Sequence, residues 1–353
     1  MYKILRPLLF KLEPELTHAL TLHALRITGS LTLSNLILKL MYRTKPNPVE
    51  AFGFTFKNPV GLAAGYDKNA IALAGLSSLG FGHIEVGTVT PLAQEGNPKP
   101  RVFRLTEDEA VINRMGFPNY GADYVKKRLK PIEKATPLNK LMLARWRSSN
   151  IILGINLGKN KSTPNEEAVL DYLSLMQLLS EYADYLTINI SSPNTVGLRD
   201  LQGKKALESL LHQIDAQRKI EEKQYEKKIP VLVKLAPDLT ESELYDAIDV
   251  IIDSNMDGII VNNTTLSRDG VESSLRIESG GLSGKPLRGK SEAVLHQTVK
   301  HVNGKIPIVS VGGIMNPDDV KRRLDAGATL IQIYTGLIYE GPSLVKKILK
   351  KII

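Results

Sequence analysis

At 353 residues the chain is too long for one minimal domain and comfortable for one large domain with an appendage. Hydrophobic residues make up 42% and charged residues 24%, which fits a soluble globular chain and excludes a disordered, collagen-like or disulfide-stapled one. Cysteine is absent and the net charge is +9, so thiolate metal sites, disulfides and every cysteine-based mechanism are excluded, and an anionic partner is indicated.

The positive charge is concentrated at the start. Residues 1–45 carry Lys3, Arg6, Lys11, Arg26, Lys39, Arg43 and Lys45 against only Glu13 and Glu15. Leu5, Leu8, Leu9 and Leu12 form one helical stripe, Leu16, Leu20, His23 and Ile27 a second, and Leu33, Leu36, Ile37, Leu40 and Met41 a third. Two prolines within Thr44-Lys-Pro-Asn-Pro-Val49 end this pattern. The segment reads as two or three amphipathic helices followed by a linker. They either cap the main domain through their leucines or lie in a membrane interface with basic residues near anionic headgroups. Its longest uncharged stretch, Ile27–Leu38, is too short to span a bilayer, and no secretory signal is recognisable.

From residue 58 short apolar runs alternate with longer amphipathic stretches. The runs Val60–Gly65, His83–Thr88, Ile151–Leu157, Tyr185–Ile190, Val231–Leu235, Gly258–Asn262, Pro307–Val311 and Leu330–Tyr334 read as buried parallel strands. Helices are expected near 70–80, 119–134, 166–182, 204–224, 241–254, 290–302, 317–326 and 341–351. Eight such repeats predict an α/β fold, a (β/α)8 TIM barrel with a small N-terminal helical extension: residues 1–45 as the extension and 46–353 as the barrel.

A barrel of this kind places its active site at the C-terminal strand ends, and polar residues gather there. They include Gly65-Tyr-Asp-Lys-Asn69, Thr88, Asn156, Asn189-Ile-Ser-Ser-Pro-Asn194, Lys234, Asn262-Asn-Thr-Thr265, Gly312-Gly313 and Tyr334-Thr-Gly336. Turn chemistry accounts for any one of them. It accounts less well for lysines at two strand ends, where desolvation calls for an anionic partner. Ser310-Val-Gly-Gly-Ile314, Ala326-Gly-Ala328 and Ile333-Tyr-Thr-Gly336 match the phosphate site of the last two units. No P-loop or dinucleotide fingerprint is present, and histidine spacing gives no metal cage, so no metal is expected.

The sequence resembles the dihydroorotate dehydrogenase family, and within it the membrane-associated, quinone-reducing class. The motifs that carry this are Ala64-Gly-Tyr-Asp-Lys-Asn69, the run from Gly82 to Pro91, Pro98-Lys-Pro-Arg-Val-Phe-Arg104 and Asn113-Arg-Met-Gly-Phe117. Gly154-Ile-Asn-Leu-Gly-Lys-Asn-Lys161, Asn189-Ile-Ser-Ser-Pro-Asn-Thr195 and Gly280-Gly-Leu-Ser-Gly284 add to them. The resemblance implies oxidation of dihydroorotate to orotate in pyrimidine biosynthesis, one FMN per chain as hydride acceptor, and a membrane quinone as final acceptor. It implies Ser192 as the base; since a serine hydroxyl is a poor base that needs a neighbour or water to accept its proton, Thr195 is expected as a member of that relay. Soluble classes use cysteine there, and this chain has none.

By the same carry-over, substrate binding falls to Lys68, Asn113, Arg114, Met115, Gly116, Phe117, Asn189, Asn194, Asn263 and Thr264. FMN binding falls to Ala64, Gly65, Tyr66, Asp67, Lys68, Thr88, Asn156, Asn189, Lys234, Asn262, Gly284, Gly313, Tyr334 and Thr335. Two departures stand out: Asn262 occupies a position that is usually threonine, and extra sequence around Thr136–Ser148, with Trp146, reads as a surface loop. The resemblance favours the membrane reading of residues 1–45 as the mouth of a quinone tunnel, on the cytoplasmic face of the cell membrane, with no nucleic acid partner. A tRNA dihydrouridine synthase would be another flavin barrel, but relies on a cysteine. A soluble relative passing electrons to fumarate or a flavoprotein is disfavoured by the serine, and an inactive scaffold would be colourless.

Overall fold

The computed structural model describes residues 2–130 and 151–352; the segment around Thr136–Ser148 lies outside the described residues. Three helices open the chain: α1 (Tyr2–Lys11), α2 (Pro14–Ser30) and α3 (Thr32–Met41). Pro14 can begin α2 because first-turn N–H groups lack intrahelical partners. The Glu13 carboxylate caps the same turn, accepting from the backbone N of Glu15 at 3.0 Å and of Leu16 at 2.7 Å. An antiparallel hairpin of β1 (Val49–Ala51) and β2 (Phe54–Phe56) follows.

Strand β3 (Val60–Leu62), the short helix α4 (Leu73–Ser77) and β4 (His83–Val89) begin the barrel. The chain then makes an excursion through β5 (Val102–Leu105) and β6 (Ala110–Asn113) and returns by α5 (Ala122–Leu129) and β7 (Ile152–Leu157). Next come α6 (Ala168–Leu179) with β8 (Tyr185–Asn189), α7 (Lys204–Tyr225) with β9 (Val231–Leu235), and α8 (Glu241–Asp253) with β10 (Gly258–Val261). A second excursion, β11 (Gly281–Gly284), precedes α9 (Arg288–Val302) and β12 (Ile308–Val311). The chain closes with α10 (Pro317–Asp325), β13 (Leu330–Ile333), α11 (Thr335–Glu340) and α12 (Ser343–Ile352).

Strands β3, β4, β7, β8, β9, β10, β12 and β13 form a closed parallel barrel, and β13 pairs back onto β3 to complete it. The fold is therefore the expected (β/α)8 barrel. Its strands are almost wholly buried, which is why they read as continuous apolar runs rather than alternating ones. Helices α8 and α10 start at capping boxes, Thr240 with Glu243 and Asn316 with Asp319. The first strand stops at Leu62, short of the expected Gly65, because Gly65 already turns away with φ +98°.

Two elements escaped the sequence reading. The β1–β2 hairpin plugs the N-terminal end of the barrel, where Phe56 meets His83 edge-on at 5.4 Å. The antiparallel sheet β11–β6–β5 stands over the opposite end. Strands β1, β2 and β5 are only partly buried, so no continuous apolar run marks them as it marks the equally short barrel strands.

The N-terminal helices sit beside this roof. Gly29 of α2 and Gly75 of α4 allow backbone contact: a Cβ on Gly29 would lie 2.4 Å from Gly75 N, and one on Gly75 would lie 2.1 Å from Leu25 O. Asn35 donates to Ala74 O at 3.3 Å, and Phe10 meets Tyr339 edge-on at 5.4 Å. Docking thus uses small, polar and aromatic residues together with Leu22 and Leu25, which pack on the barrel core, while most of the stripe leucines point outward. Ile4, Leu8, Leu33 and Leu40 are at least 60% exposed, and Leu5, Leu16, Leu20, Ile27, Leu36 and Ile37 are exposed to a lesser degree. The alternative in which the leucines pack on the barrel does not hold for these residues.

Candidate active site at the barrel mouth

Strand ends bring a ring of amides together. Asn189, ending β8, donates from Nδ2 to Thr88 Oγ1 at 2.9 Å and to Asn156 Oδ1 at 3.0 Å. Thr88 donates to the same Asn156 oxygen at 2.6 Å, and Asn156 Nδ2 donates to Glu85 at 2.8 Å. Asn263 donates to Ser191 Oγ at 3.0 Å, and Ser191 Oγ donates to Asn189 Oδ1 at 3.1 Å. Each amide is thereby fixed by its neighbours, leaving a defined donor and acceptor pattern above the barrel core.

Above this ring lies a cavity of about 430 Å³. Its floor and walls include Ala64, Gly65, Tyr66, Lys68, Thr88, Asn189, Ser192, Asn194, Lys234, Asn262, Asn263 and Thr264. Asn113, Met115, Gly116 and Phe117 reach it from the loop after β6, and Gly284, Gly313, Tyr334 and Thr335 from the last barrel units. It continues between the first two helices, past Leu9, Phe10, Pro14, Glu15, His18 and Leu25.

Three residues expected in the site stand apart from the cavity. Asp67 accepts from the backbone N of Ile71 at 2.9 Å and of Ala72 at 2.8 Å, so it shapes the turn into α4. Burial raises its carboxyl pKa against those hydrogen bonds. Arg114 points outward to Glu278 and Pro100 O and lies over the Phe103 ring at 4.5 Å. Asn156 lies below Thr88 and Asn189 and supports them from there.

Ser192 is buried, and its Oγ accepts from Asn194 N at 3.2 Å. Asn194 Nδ2 donates in turn to Asn113 Oδ1 at 3.2 Å, tying the serine loop to the loop after β6. Among the described residues no carboxylate or imidazole is hydrogen-bonded to Ser192, and Thr195 is buried three residues further along the chain. Lys68 donates to Gly65 O at 2.7 Å. Burial brings its ammonium down to about 8, a fall that Glu15 opposes and Arg101 assists. Burial also lowers Lys234, with Glu85 opposing.

The residues fit a flavin nucleotide. Both polar atoms of the Asn262 amide and Oε1 of Gln332 are buried without a partner, and both side chains line the cavity. A planar ring rich in donors and acceptors would satisfy them. Gly284 and Gly313 have φ of +99° and +70°; a Cβ there would lie 2.4 Å from Glu109 O and 2.3 Å from Arg288 Cα. Only glycine leaves the backbone free to approach a phosphate at this point. The Ala326–Ala328 run, grouped with this cradle in the sequence, does not line the cavity.

Several site residues were not foreseen. Glu85, fully buried in the barrel, accepts from Asn156, Gln332 at 2.8 Å, and Tyr185 and Thr187 at 3.2 Å each. An acid inside an apolar strand was the available signal. His18 meets Tyr66 edge-on at 4.9 Å, and burial with the nearby Lys68 charge lowers it to about 3. Glu15 and Arg199 were visible only as charges, and Arg101 only as a member of a motif, until their partners were placed.

A (β/α)8 barrel with a buried serine, one buried and one half-buried lysine and an amide ring at its C-terminal mouth is the architecture of a barrel enzyme for a small anionic substrate. The family profile described as "Dihydroorotate dehydrogenase" matches residues 48–353. A "Dihydroorotate dehydrogenase (quinone)" of Idiomarina loihiensis is 49% identical over 348 residues, covering 99% of both chains. One from Pasteurella multocida is 46% identical over 353 residues, with full coverage of both. The crystal structure of DHODH from Eimeria tenella in complex with ferulenol superposes with a TM-score of 0.80 at 35% identity, covering 96% of this chain and 90% of that one. The chain belongs to the dihydroorotate dehydrogenase family, whose members are flavin-dependent oxidoreductases.

Proposed function

We propose that this chain oxidises dihydroorotate to orotate in pyrimidine biosynthesis, with FMN in the barrel mouth and a membrane quinone as the terminal acceptor. The observation that carries this is the continuity of one cavity from the amide ring to the gap between α1 and α2. Bound in that mouth, FMN supplies a two-electron carrier that accepts the substrate's hydride and is reoxidised by quinone.

The protein's part is to bind, orient and deprotonate. Lys68 neutralises the substrate carboxylate, and Asn113, Asn189, Asn194, Asn263 and Thr264 match the polar edges of the ring. Such a site rejects analogues that would leave its buried amides unpaired. Ser192 Oγ takes the proton from C5 while the hydride leaves C6. A serine hydroxyl is a weak base, so its proton must pass on to water or a neighbour, the role assigned to Thr195. Lys234 lines the cavity and would supply a positive charge to offset the electron density that a bound flavin takes up. Gly284, Gly313, Tyr334 and Thr335 hold its phosphate end.

The outward leucines of α1–α3 supply a membrane-facing apolar surface. No described helix is long and apolar enough to cross a membrane. From Leu16 to Val49 the chain has no acidic residue, while Arg26, Lys39, Arg43 and Lys45 are present, which suits anionic headgroups. The chain would then rest on the surface and receive quinone from the bilayer between its helices. Anaerobic mixing with dihydroorotate tests the reading: the flavin absorbance should bleach and return on adding a quinone. A flavin that stays oxidised refutes it.

A further inference from the structure

Arg199 follows β8 in a short 3-10 turn, Leu198–Gln202, and its guanidinium faces inward beneath the site loops. Nε donates to Ser191 O at 3.0 Å, the carbonyl immediately before Ser192. Nη2 donates to Thr264 O at 2.9 Å, and Nη1 pairs with Asp238 at 2.9 Å. Asp238, beyond β9, also accepts from Lys290 Nζ at 2.6 Å, from Leu266 N at 3.0 Å and from Thr265 Oγ1. One guanidinium and one carboxylate therefore join the loops after β8, β9 and β10. Two of these loops carry Ser192 and Thr264.

The planar fork of arginine suits this task. It presents donors in fixed directions to two carbonyls and a carboxylate at once, which an ammonium cannot do. Side chains of the pair are only 19% exposed, so the ion pair is largely withdrawn from water and its geometry is held. Neither residue lines the cavity. Their effect on chemistry must run through the backbone they hold.

We infer that Arg199 and Asp238 are positioning residues for proton abstraction: the clamp fixes the distance between the Ser192 hydroxyl and a ring held by Thr264. This rests on the assignment of Ser192 as the base. An error of about 1 Å in such a distance can cost about a hundredfold in rate, whereas binding contacts from Lys68 and the amides would persist.

The test uses the full flavin-loaded chain. Arg199→Gln, Arg199→Lys, Asp238→Asn and Ser192→Ala are compared for single-turnover flavin reduction by dihydroorotate, orotate affinity and quinone reoxidation. Expected are a 10–100-fold slower reduction in Arg199→Gln and Asp238→Asn, partial rescue in Arg199→Lys, orotate affinity within threefold and unchanged reoxidation. A slow Ser192→Ala alongside normal reduction in the clamp variants overturns the clamp alone. Parallel loss of reduction, orotate binding and reoxidation in all three clamp variants reduces it to fold maintenance and also overturns it. Normal reduction in Ser192→Ala overturns the base assignment and the clamp with it.

Discussion

Glu15 of α2 accepts from Arg101 Nε at 3.1 Å on each carboxylate oxygen, and from Nη2 at 2.9 Å on one of them. Arg101 also donates to Asn97 O at 2.8 Å, so an N-terminal helix is fastened to the loop that leads into the roof sheet. Both side chains are largely buried, and removing one partner of such a pair leaves an uncompensated charge, at about 3 kcal/mol. Glu15→Ala should loosen the front of α2 and raise the KM for quinone at least tenfold. Flavin reduction by dihydroorotate should stay within about threefold of normal, because the amide ring is untouched. Steady-state kinetics with a lipid-soluble quinone, set beside anaerobic reduction, check this; an unchanged quinone KM would detach the latch from quinone access.

Lys68 gives the site a pH dependence of known sign. Burial brings its ammonium down to about 8 from an ordinary 10.5. If its charged form binds the anionic substrate, kcat/KM for dihydroorotate should be level below about pH 7. It should fall above pH 8, approaching tenfold per unit for a single required proton. Stability moves the other way. Between about pH 8 and 10.5 the unfolded chain holds the proton that the folded one has lost, so the contribution of Lys68 to stability rises with pH. Falling orotate affinity without a falling melting temperature across pH 7–9.5 is the expected pair of results. Constant affinity up to pH 9.5 would remove Lys68 from carboxylate binding.

The barrel strands were legible because full burial on both faces writes itself as unbroken apolar runs such as Val231–Leu235, broken only by the lysine that faces the mouth. The strand ends were equally plain, since Asn189, Lys234 and Asn262 interrupt those runs where the mouth opens. What stayed hidden depends on three-dimensional partnership. Arg199 is one of many arginines until Ser191 O, Thr264 O and Asp238 converge on it. Motif membership placed Arg114 in the site, yet its neighbour Phe103 and Glu278 draw the guanidinium outward. Leucine stripes in α1–α3 carried no information on which side they faced; the Phe10–Tyr339, Gly29–Gly75 and Asn35–Ala74 contacts decide that.

Asn262 offers a test in which apoprotein and flavin respond oppositely. Its amide is 2% exposed and both polar atoms lack partners. Asn262→Leu keeps the size while removing two buried unsatisfied groups, so the flavin-free protein should melt at the same temperature or higher. If Asn262 hydrogen-bonds the flavin, the same change should weaken FMN by about tenfold, or about 1.4 kcal/mol. Differential scanning calorimetry of the apoprotein and fluorescence titration with FMN measure the two quantities. A destabilised apoprotein with full FMN affinity would mean that Asn262 serves the barrel rather than the flavin.

Leu33, Leu36 and Leu40 lie on α3 with 71%, 52% and 60% of their surface exposed, so replacing all three with serine should leave the melting temperature nearly unchanged. If this face rests in a lipid interface, each leucine buries apolar area there worth about 1 kcal/mol, and the triple variant should lose about a hundredfold in vesicle partitioning. Flavin reduction by dihydroorotate should be unaffected, since none of the three lines the cavity. Turnover with a bilayer-embedded quinone should fall in step with partitioning. Turnover with a short-chain water-soluble quinone should remain, because the passage between α1 and α2 is intact. Cosedimentation with phosphatidylglycerol-containing vesicles reads the first effect, and equal binding of the triple variant would show that the exposed leucines do not face the membrane.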